Sequence, residues 1–461
     1  MIEFYYTVIM LGTFVGMLLY SRSLPVALVS IYIVYWFMPQ GIPLIGTGVS
    51  LLSFLGIAEF LYILIKVPAY KKANDQNWQL FLCAYRYVLY LSVFMAVFAV
   101  LSTVIPLGDQ LSTLKNFLYY AMNILIVALC FTKKREFVSI VHLIMLWVII
   151  SGIYGIYTYI LRFNPIAEIV TATFSQFEDQ GLNEDMLETE RGFLQARISG
   201  FTVHPLLYGG ILVLFIYVFF QEFLFSPKLW KRLVLIVFMI FCFGLTVLTG
   251  SRSILIGLAF GIFYFLLKTS PKKTIIYSLV GMCLLVTLGV SIEDDFIRST
   301  IFFWEEHDEI GGSSISMRMI QLEAVISAVS SDLQSLLFGF GRGWVGQYLE
   351  KHGNMPPFQG FEGLFLFSIV TYGVLGTILF VLLVFKSLYS INKQMVTDAI
   401  QKTAINAYLL AGLTIYVMTG IAYGLRLYMV LLPFMVKYAI VSTQPLDSPV
   451  LQENEDSLHS S

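Results

Sequence analysis

The feature that most constrains this chain is a series of apolar runs, each long enough to cross a bilayer. They fall at about 2–20, 48–67, 81–105, 114–132, 137–161, 206–225, 233–250, 253–268, 274–292, 361–385, 404–422 and 426–443. One spanning helix needs roughly 20 apolar residues. Twelve such runs use about 240 residues, close to the hydrophobic 58% of the 461. In lipid every backbone polar group must be satisfied within its own segment, so these runs predict helices. A further run, 24–38, is shorter; it opens at Pro25 and is followed by Pro39, Gly41 and Pro43. It reads either as a thirteenth span or as a re-entrant piece. The first run is not a cleaved signal peptide, because it lacks a basic leader and more spans follow it. The expected fold is an all-α polytopic membrane protein of 12–13 transmembrane helices.

Charge supports the same class. Only 12% of residues are charged, against about 25% in a soluble domain. This excludes a soluble globular enzyme, a disordered chain and a nucleic-acid binder. The net charge of -1 matters less than where the charges lie. Cys83, Cys130, Cys242 and Cys283 sit in apolar runs with no CxxC pair, so neither a disulfide framework nor a zinc site is indicated.

Lysine sets the orientation. Cytoplasmic loops collect Lys and Arg near helix ends. Lys66, Lys71 and Lys72 mark one loop; Lys133, Lys134 and Arg135 mark the next alternate one. Lys228, Lys231 and Arg232, then Lys268, Lys272 and Lys273, then Lys386, Lys393 and Lys402 continue the series. The expected C-terminus is cytoplasmic. The N-terminus is inside if 24–38 does not span and outside if it does. The chain divides into N-terminal helices (1–161), a first long external loop (162–205), central helices with a Ser-Arg hairpin (206–292), a second long external loop (293–360), C-terminal helices (361–443) and a disordered cytoplasmic tail (444–461). The two long loops hold 7 and 10 of the 29 acidic residues. Within the second, Met319, Leu322, Val325, Ile326, Val329 and Leu333 predict an amphipathic surface helix at about 317–335.

Arginine and lysine separate. Of 12 arginines, Arg162, Arg191, Arg197, Arg252, Arg298, Arg318, Arg342 and Arg426 fall on the external side, where only Lys115 and Lys351 join them. The guanidinium fork binds phosphate or carboxylate bidentately and stays charged in a partly dry site. The bland alternative is pairing with the acidic loops. Arg252, in Thr249-Gly250-Ser251-Arg252-Ser253 between two apolar runs, is costly at such a hairpin and marks a functional candidate. Snorkelling to the headgroups is its alternative. Arg426 stands similarly in Tyr423-Gly424-Leu425-Arg426.

Four segments together resemble the O-antigen ligase and polymerase superfamily of bacterial surface polysaccharide assembly, Wzy-type polymerases among them. They are Arg197-Ile198-Ser199-Gly200-Phe201 followed by His204-Pro205; Leu248-Thr249-Gly250-Ser251-Arg252; Arg318 followed by Leu337-Phe338-Gly339-Phe340-Gly341; and Glu362-Gly363-Leu364-Phe365-Leu366 running into Tyr372-Gly373-Val374-Leu375-Gly376. The resemblance covers roughly residues 195–385 and implies a GT-C-like helical fold. Ligases of this group carry a His-Asn pair about eleven residues before the last glycine motif; Glu362 and Gly363 stand there instead. His352 lies ten residues earlier as a possible substitute or a solvated loop residue. This departure favours a polymerase over a ligase.

The resemblance further implies the chemistry. A glycan would pass from a polyprenyl-pyrophosphate carrier to a new lipid-linked repeat unit on the outer face of the bacterial inner membrane. It implies no cofactor, metal or nucleotide. Partners would be the lipid-linked glycan, the bilayer, and a chain-length regulator and flippase of the same pathway; nucleic acid is not expected. Arg252 and Arg197, with Arg191, Arg318 or Arg342, would clamp the pyrophosphate and stabilise charge as the glycosidic bond breaks. Glu362 would act as general base, or is simply an acid at a helix N-terminus. His204, His352 and Arg426 are further substrate-binding candidates; His204 equally reads as a helix cap. Glu59 lies in an early span nearer its lysine end, where snorkelling accounts for it, and His142 reads as a packing residue. Gly339-Phe340-Gly341-Arg342-Gly343 lacks the lysine and hydroxyl of a nucleotide loop and reads as a turn that brings Arg342 to the membrane surface. Trp304, Trp344 and Phe358 are candidates to stack on sugars. The competing readings are a ligase and a lipid-linked sugar transporter. A transporter with two similar halves would repeat its loop layout, which this chain does not.

Overall fold

In a computed structural model, the described residues are 2–39, 42, 50–73, 76–102, 104–173, 197–202, 204–272, 315–352, 363–393, 398–419 and 424–443. Sixteen described helices, numbered here in chain order, are α1 (Ile2–Ser21), α2 (Leu24–Phe37), α3 (Leu51–Ala73), α4 (Gln76–Leu101), α5 (Leu107–Cys130), α6 (Lys134–Leu161), α7 (Pro165–Thr173), α8 (Pro205–Phe225), α9 (Leu229–Leu248), α10 (Arg252–Thr269), α11 (Ile315–Val329), α12 (Leu333–Phe338), α13 (Trp344–His352), α14 (Leu364–Lys393), α15 (Ala399–Thr419) and α16 (Gly424–Thr443). Ten of them are long and apolar enough to span a membrane: α1, α3–α6, α8–α10, α14 and α16. The protein is an all-α polytopic membrane protein. The expected span at 404–422 falls on the 21-residue α15, which is not among the ten, and the one at 274–292 lies outside the described residues.

The run at 24–38 forms a helix of 14 residues, about 21 Å long at 1.5 Å per residue. Pro25 in its first turn favours the start, and Pro39 follows its end. It is apolar all round and almost wholly buried, as a helix without a polar face must be. Its start is tied to the lysine-marked side: Ser23 Oγ donates to Glu136 Oε1 at 2.7 Å. Glu136 also accepts from the Thr132 and Lys133 amides at 2.7 and 3.0 Å. Arg135 Nη2 donates to the Tyr20 carbonyl at 2.9 Å. The end of α1 and the start of α2 therefore share a side with Lys133 and Lys134, and α1 begins on the opposite side. These are called the lysine side and the arginine side below.

Two buried helices, α8 and α16, form the centre. Gln221 Nε2 on α8 donates to the Met435 carbonyl on α16 at 2.7 Å, and Tyr438 of α16 hydrogen-bonds Glu222 of α8. Buried Lys437 donates to the Ala128 carbonyl at 2.9 Å, satisfying a C-terminal carbonyl of α5. Against this centre, α10 packs closely on α15. Gly257 and Gly261 face Ala411, Ala407 and Ile415, and a methyl at Gly257 would stand 3.0 Å from the Ala411 carbonyl oxygen. Small residues four apart let membrane helices approach in this way.

A second apolar cluster of Ile105, Val325, Val329, Phe340, Trp344 and Val370 joins α11, α13 and the first half of α14. The predicted surface helix is α11. It ends at Val329, short of the expected 335, and Leu333 opens the separate α12. α11 turns Val325 and Val329 inward and leaves Met319 and Ile326 exposed, so the expected single apolar face is divided between protein and surroundings. α14 is broken at Gly373 (φ 68°, ψ -176°). Carbonyls freed by the break are taken by the incoming chain: the Phe340 amide donates to Val370 at 2.9 Å and the Gly341 amide to Thr371 at 3.1 Å. The Ile105 amide donates to Phe340 at 3.1 Å, adding a third layer.

Candidate functional site

The first arginine group is built at the α9–α10 turn. Helices leave their last carbonyls unpaired, and the segment 197–198 takes up two of them. Arg197 Nε donates to the Thr249 carbonyl at 2.8 Å and the Ile198 amide to Leu248 at 3.1 Å. Arg197 is buried, at 6% exposure. Gly250 (φ 64°) makes the turn, Thr249 and Ser251 are buried, and Arg252 opens α10, half-buried. Arg197 thus sits at the turn that carries Arg252. A cation at a helix N-terminus opposes the macrodipole, by about 0.3–1 kcal/mol. Helix stability does not explain Arg252 there.

The rest of that motif holds the segment in place. Asn164 Nδ2 donates to Ser199 Oγ at 3.1 Å, and Tyr154 donates to Asn164 Oδ1 at 2.7 Å. Phe201 stacks on Tyr154 at 4.5 Å. Gly200 (φ 56°) lies against Tyr208, where a Cβ would come within 2.8 Å of the ring. His204 Nδ1 accepts the Leu206 amide at 3.1 Å. His204 therefore caps α8, the alternative that the sequence left open beside substrate contact.

The second group forms around the break in α14. Gly341 (φ 99°) and Gly343 (φ 97°) flank Arg342. Gln110 of α5 grips its backbone from both sides: the Arg342 amide donates to Gln110 Oε1 at 3.2 Å, and Gln110 Nε2 donates to the Arg342 carbonyl at 3.4 Å. Arg426, in the first turn of α16, lays its guanidinium over the Tyr120 ring, 4.0 Å from the centroid.

The other candidates separate. Arg191 and Glu362 lie outside the described residues, as does the acidic run 294–309. Arg318 belongs to α11, but its side chain is outside them too. His352 ends α13, exposed, with Nδ1 paired to the Tyr348 carbonyl at 3.0 Å. Trp344 is buried with a ring on each side, Phe340 at 4.5 Å and Tyr348 at 4.7 Å. Its faces are occupied, so it is a packing residue rather than a sugar platform. His142 is exposed and bonded to Tyr20 at 2.8 Å. Among the described residues no group of three His, Cys, Asp or Glu could hold a metal ion.

Three groups were not signalled by any motif. Gln110 grips the Arg342 backbone, and Tyr120 carries the Arg426 guanidinium. Glu59 is 0% exposed, and among the described residues neither carboxyl oxygen has a hydrogen-bond partner. It does not snorkel.

Residues 236–381, from within α9 through the break in α14, match the family model described as O-antigen ligase. No match was found among curated proteins.

Proposed function

We propose, for a chain that carries an O-antigen ligase family domain over residues 236–381, the function of a polymerase of bacterial surface polysaccharide. The domain supports a function of the O-antigen ligase and polymerase type, acting on lipid-linked glycan in a bilayer. The finer reading is that the glycan moves from its polyprenyl-pyrophosphate carrier onto a new lipid-linked repeat unit, at the outer face of the inner membrane.

The observation that carries this reading is the meeting of Arg197 and Arg252 at one turn. The acceptor hydroxyl oxygen bonds to the anomeric carbon of the donor glycan as that carbon's bond to the pyrophosphate oxygen breaks. The hydroxyl proton goes to a carboxylate, assigned to Glu362, and the carrier leaves as its pyrophosphate. Two guanidinium forks at the breaking bond stabilise the charge that develops there. Glu362 as base accounts for about 10²–10⁴-fold in rate.

The second reading, a ligase, is favoured by the description of the matched family. Against it, Glu362 and Gly363 occupy the positions of the ligase His-Asn pair. Product analysis separates the two: cells with Arg252→Ala should contain the protein in the membrane and accumulate single repeats. Long chains accumulating on the carrier would instead identify a ligase, and wild-type polymer would remove Arg252 from the mechanism. Glu362→Gln should lower turnover of purified lipid-linked repeats by about a hundredfold or more; unchanged turnover would exclude Glu362 as base.

A further inference from the structure

Asn164 stands between α6 and α7, outside every motif and outside the matched region 236–381. It is buried, at 3% exposure. Its amide can accept two hydrogen bonds and donate two, and all four are made. Oδ1 accepts the Tyr154 hydroxyl at 2.7 Å and the Ala167 amide at 3.1 Å. Nδ2 donates to Ser199 Oγ at 3.1 Å and to the Gly200 carbonyl at 3.4 Å. The accepted bonds close the corner between α6 and α7. The donated bonds reach 35 residues along the chain, to the segment that carries Arg197.

Closing the corner does not require those donors. The Ala167 amide lies in the first turn of α7, where aspartate, serine or threonine would also cap it. Among these residues only asparagine accepts twice and donates twice. From Ser199 the bonding continues to the arginine turn. The Ile198 amide donates to Leu248 at 3.1 Å and Arg197 Nε to Thr249 at 2.8 Å, and Thr249 stands three residues before Arg252. Gly200 is confined on another side by Tyr208, whose ring a Cβ there would meet at 2.8 Å. Tyr208 is in turn anchored by donating to Ser151 Oγ of α6 at 3.1 Å. The place of Arg197 at the end of α9 is thus set from α6 and α7.

We infer that Asn164 is a positioning residue for the Arg197–Arg252 oxyanion clamp. Its Nδ2 fixes where the segment 197–200 meets the end of α9, and so how the Arg197 fork is aligned with the fork carried by the same turn. The inference rests on the transferase reading above and adds to that site a residue that acts through Arg197.

Farnesyl pyrophosphate binding to the full chain in lipid nanodiscs, measured as a Kd, tests it in a double-mutant cycle. Asn164→Ser keeps a cap on α7 and removes both donors. In the otherwise wild-type chain it should raise Kd about tenfold, as expected for the loss of one or two hydrogen bonds. Added to Arg252→Gln, it should change Kd by less than about twofold, because a single fork has no partner to be aligned with. An equal rise in both backgrounds, or no rise in the first, overturns the positioning role and leaves the clamp standing. Arg252→Gln binding as tightly as the wild type overturns the clamp, and the role of Asn164 with it. Tyr154→Phe removes a hydroxyl that Oδ1 accepts and keeps the ring on Phe201. It should show the same dependence on Arg252 with a smaller rise, about threefold, and it decides the question by the same outcomes if thermal unfolding shows that Asn164→Ser does not fold.

Discussion

Arg197 shows how one side chain serves both fold and site. Its Nε–H satisfies the Thr249 carbonyl, which fixes it at the turn that carries Arg252. Arg197→Lys keeps the charge but loses the planar donor, leaving a buried carbonyl unsatisfied at a cost of about 1–3 kcal/mol. It should therefore unfold at lower temperature in detergent and make less polymer. A lysine variant with wild-type melting and polymer would show that the fork is not needed. Glu59 poses the opposite case. A carboxyl fully buried with no hydrogen bond is a burden on the fold, and an apolar group of similar shape removes that burden. Glu59→Met should melt at the wild-type temperature or above, and a lower melting temperature would show that the carboxyl is satisfied. In the sequence Arg197 was legible because a motif surrounds it. Glu59 was read as snorkelling, because distance along a helix to a lysine does not say which way the side chain faces.

At the scale of elements, the glycines decide where helices break and meet. Gly373 interrupts α14 so that the 339–341 segment can hydrogen-bond the freed carbonyls. A Cβ at Gly339 would stand 2.5 Å from the Gly373 amide nitrogen, and both residues have positive φ. Gly373→Ala adds a left-handed penalty of about 1–2 kcal/mol to a collision with the Leu337 backbone. It should lower the melting temperature and abolish polymer, whereas Gly343→Ala, with open space around its Cβ, bears the φ penalty alone and should be milder. Equal effects at the two positions would show that the close approach is unimportant. The 339–343 motif was visible in sequence as a candidate turn, while the Gly373 motif lay within an expected span. That the two motifs touch each other was not, because hydrogen bonding between segments leaves no local pattern.

For the whole molecule, the issue is sidedness. α1 begins on the arginine side and α16 ends on the lysine side, so the two ends of the described chain lie on opposite faces. We propose that the lysine side faces the cytoplasm, which would put the N-terminal end outward and the C-terminal end inward. In a background with the four cysteines replaced, an impermeant thiol reagent should label Glu3→Cys in intact cells and Lys402→Cys only after permeabilisation. Labelling of neither in intact cells would overturn the crossing by α2. This follows from the run at 24–38, whose sequence left two readings open: 14 apolar residues are short for a span. Its contact with Glu136 ties the start of α2 to the side of Lys133 and Lys134.

The sequence alone determined the membrane class, most span positions, the lysine and arginine sides and the arginine-bearing motifs. Each is written locally, in the length of an apolar run or the identity of a charge. Only the tertiary structure decided what holds each arginine: Arg197 binds the Thr249 carbonyl at the turn that carries Arg252, Gln110 grips the Arg342 backbone, and Arg426 lies over Tyr120. Such neighbourhoods arise from helices packing across long sequence separations, and at those distances an apolar run carries no record of its partner.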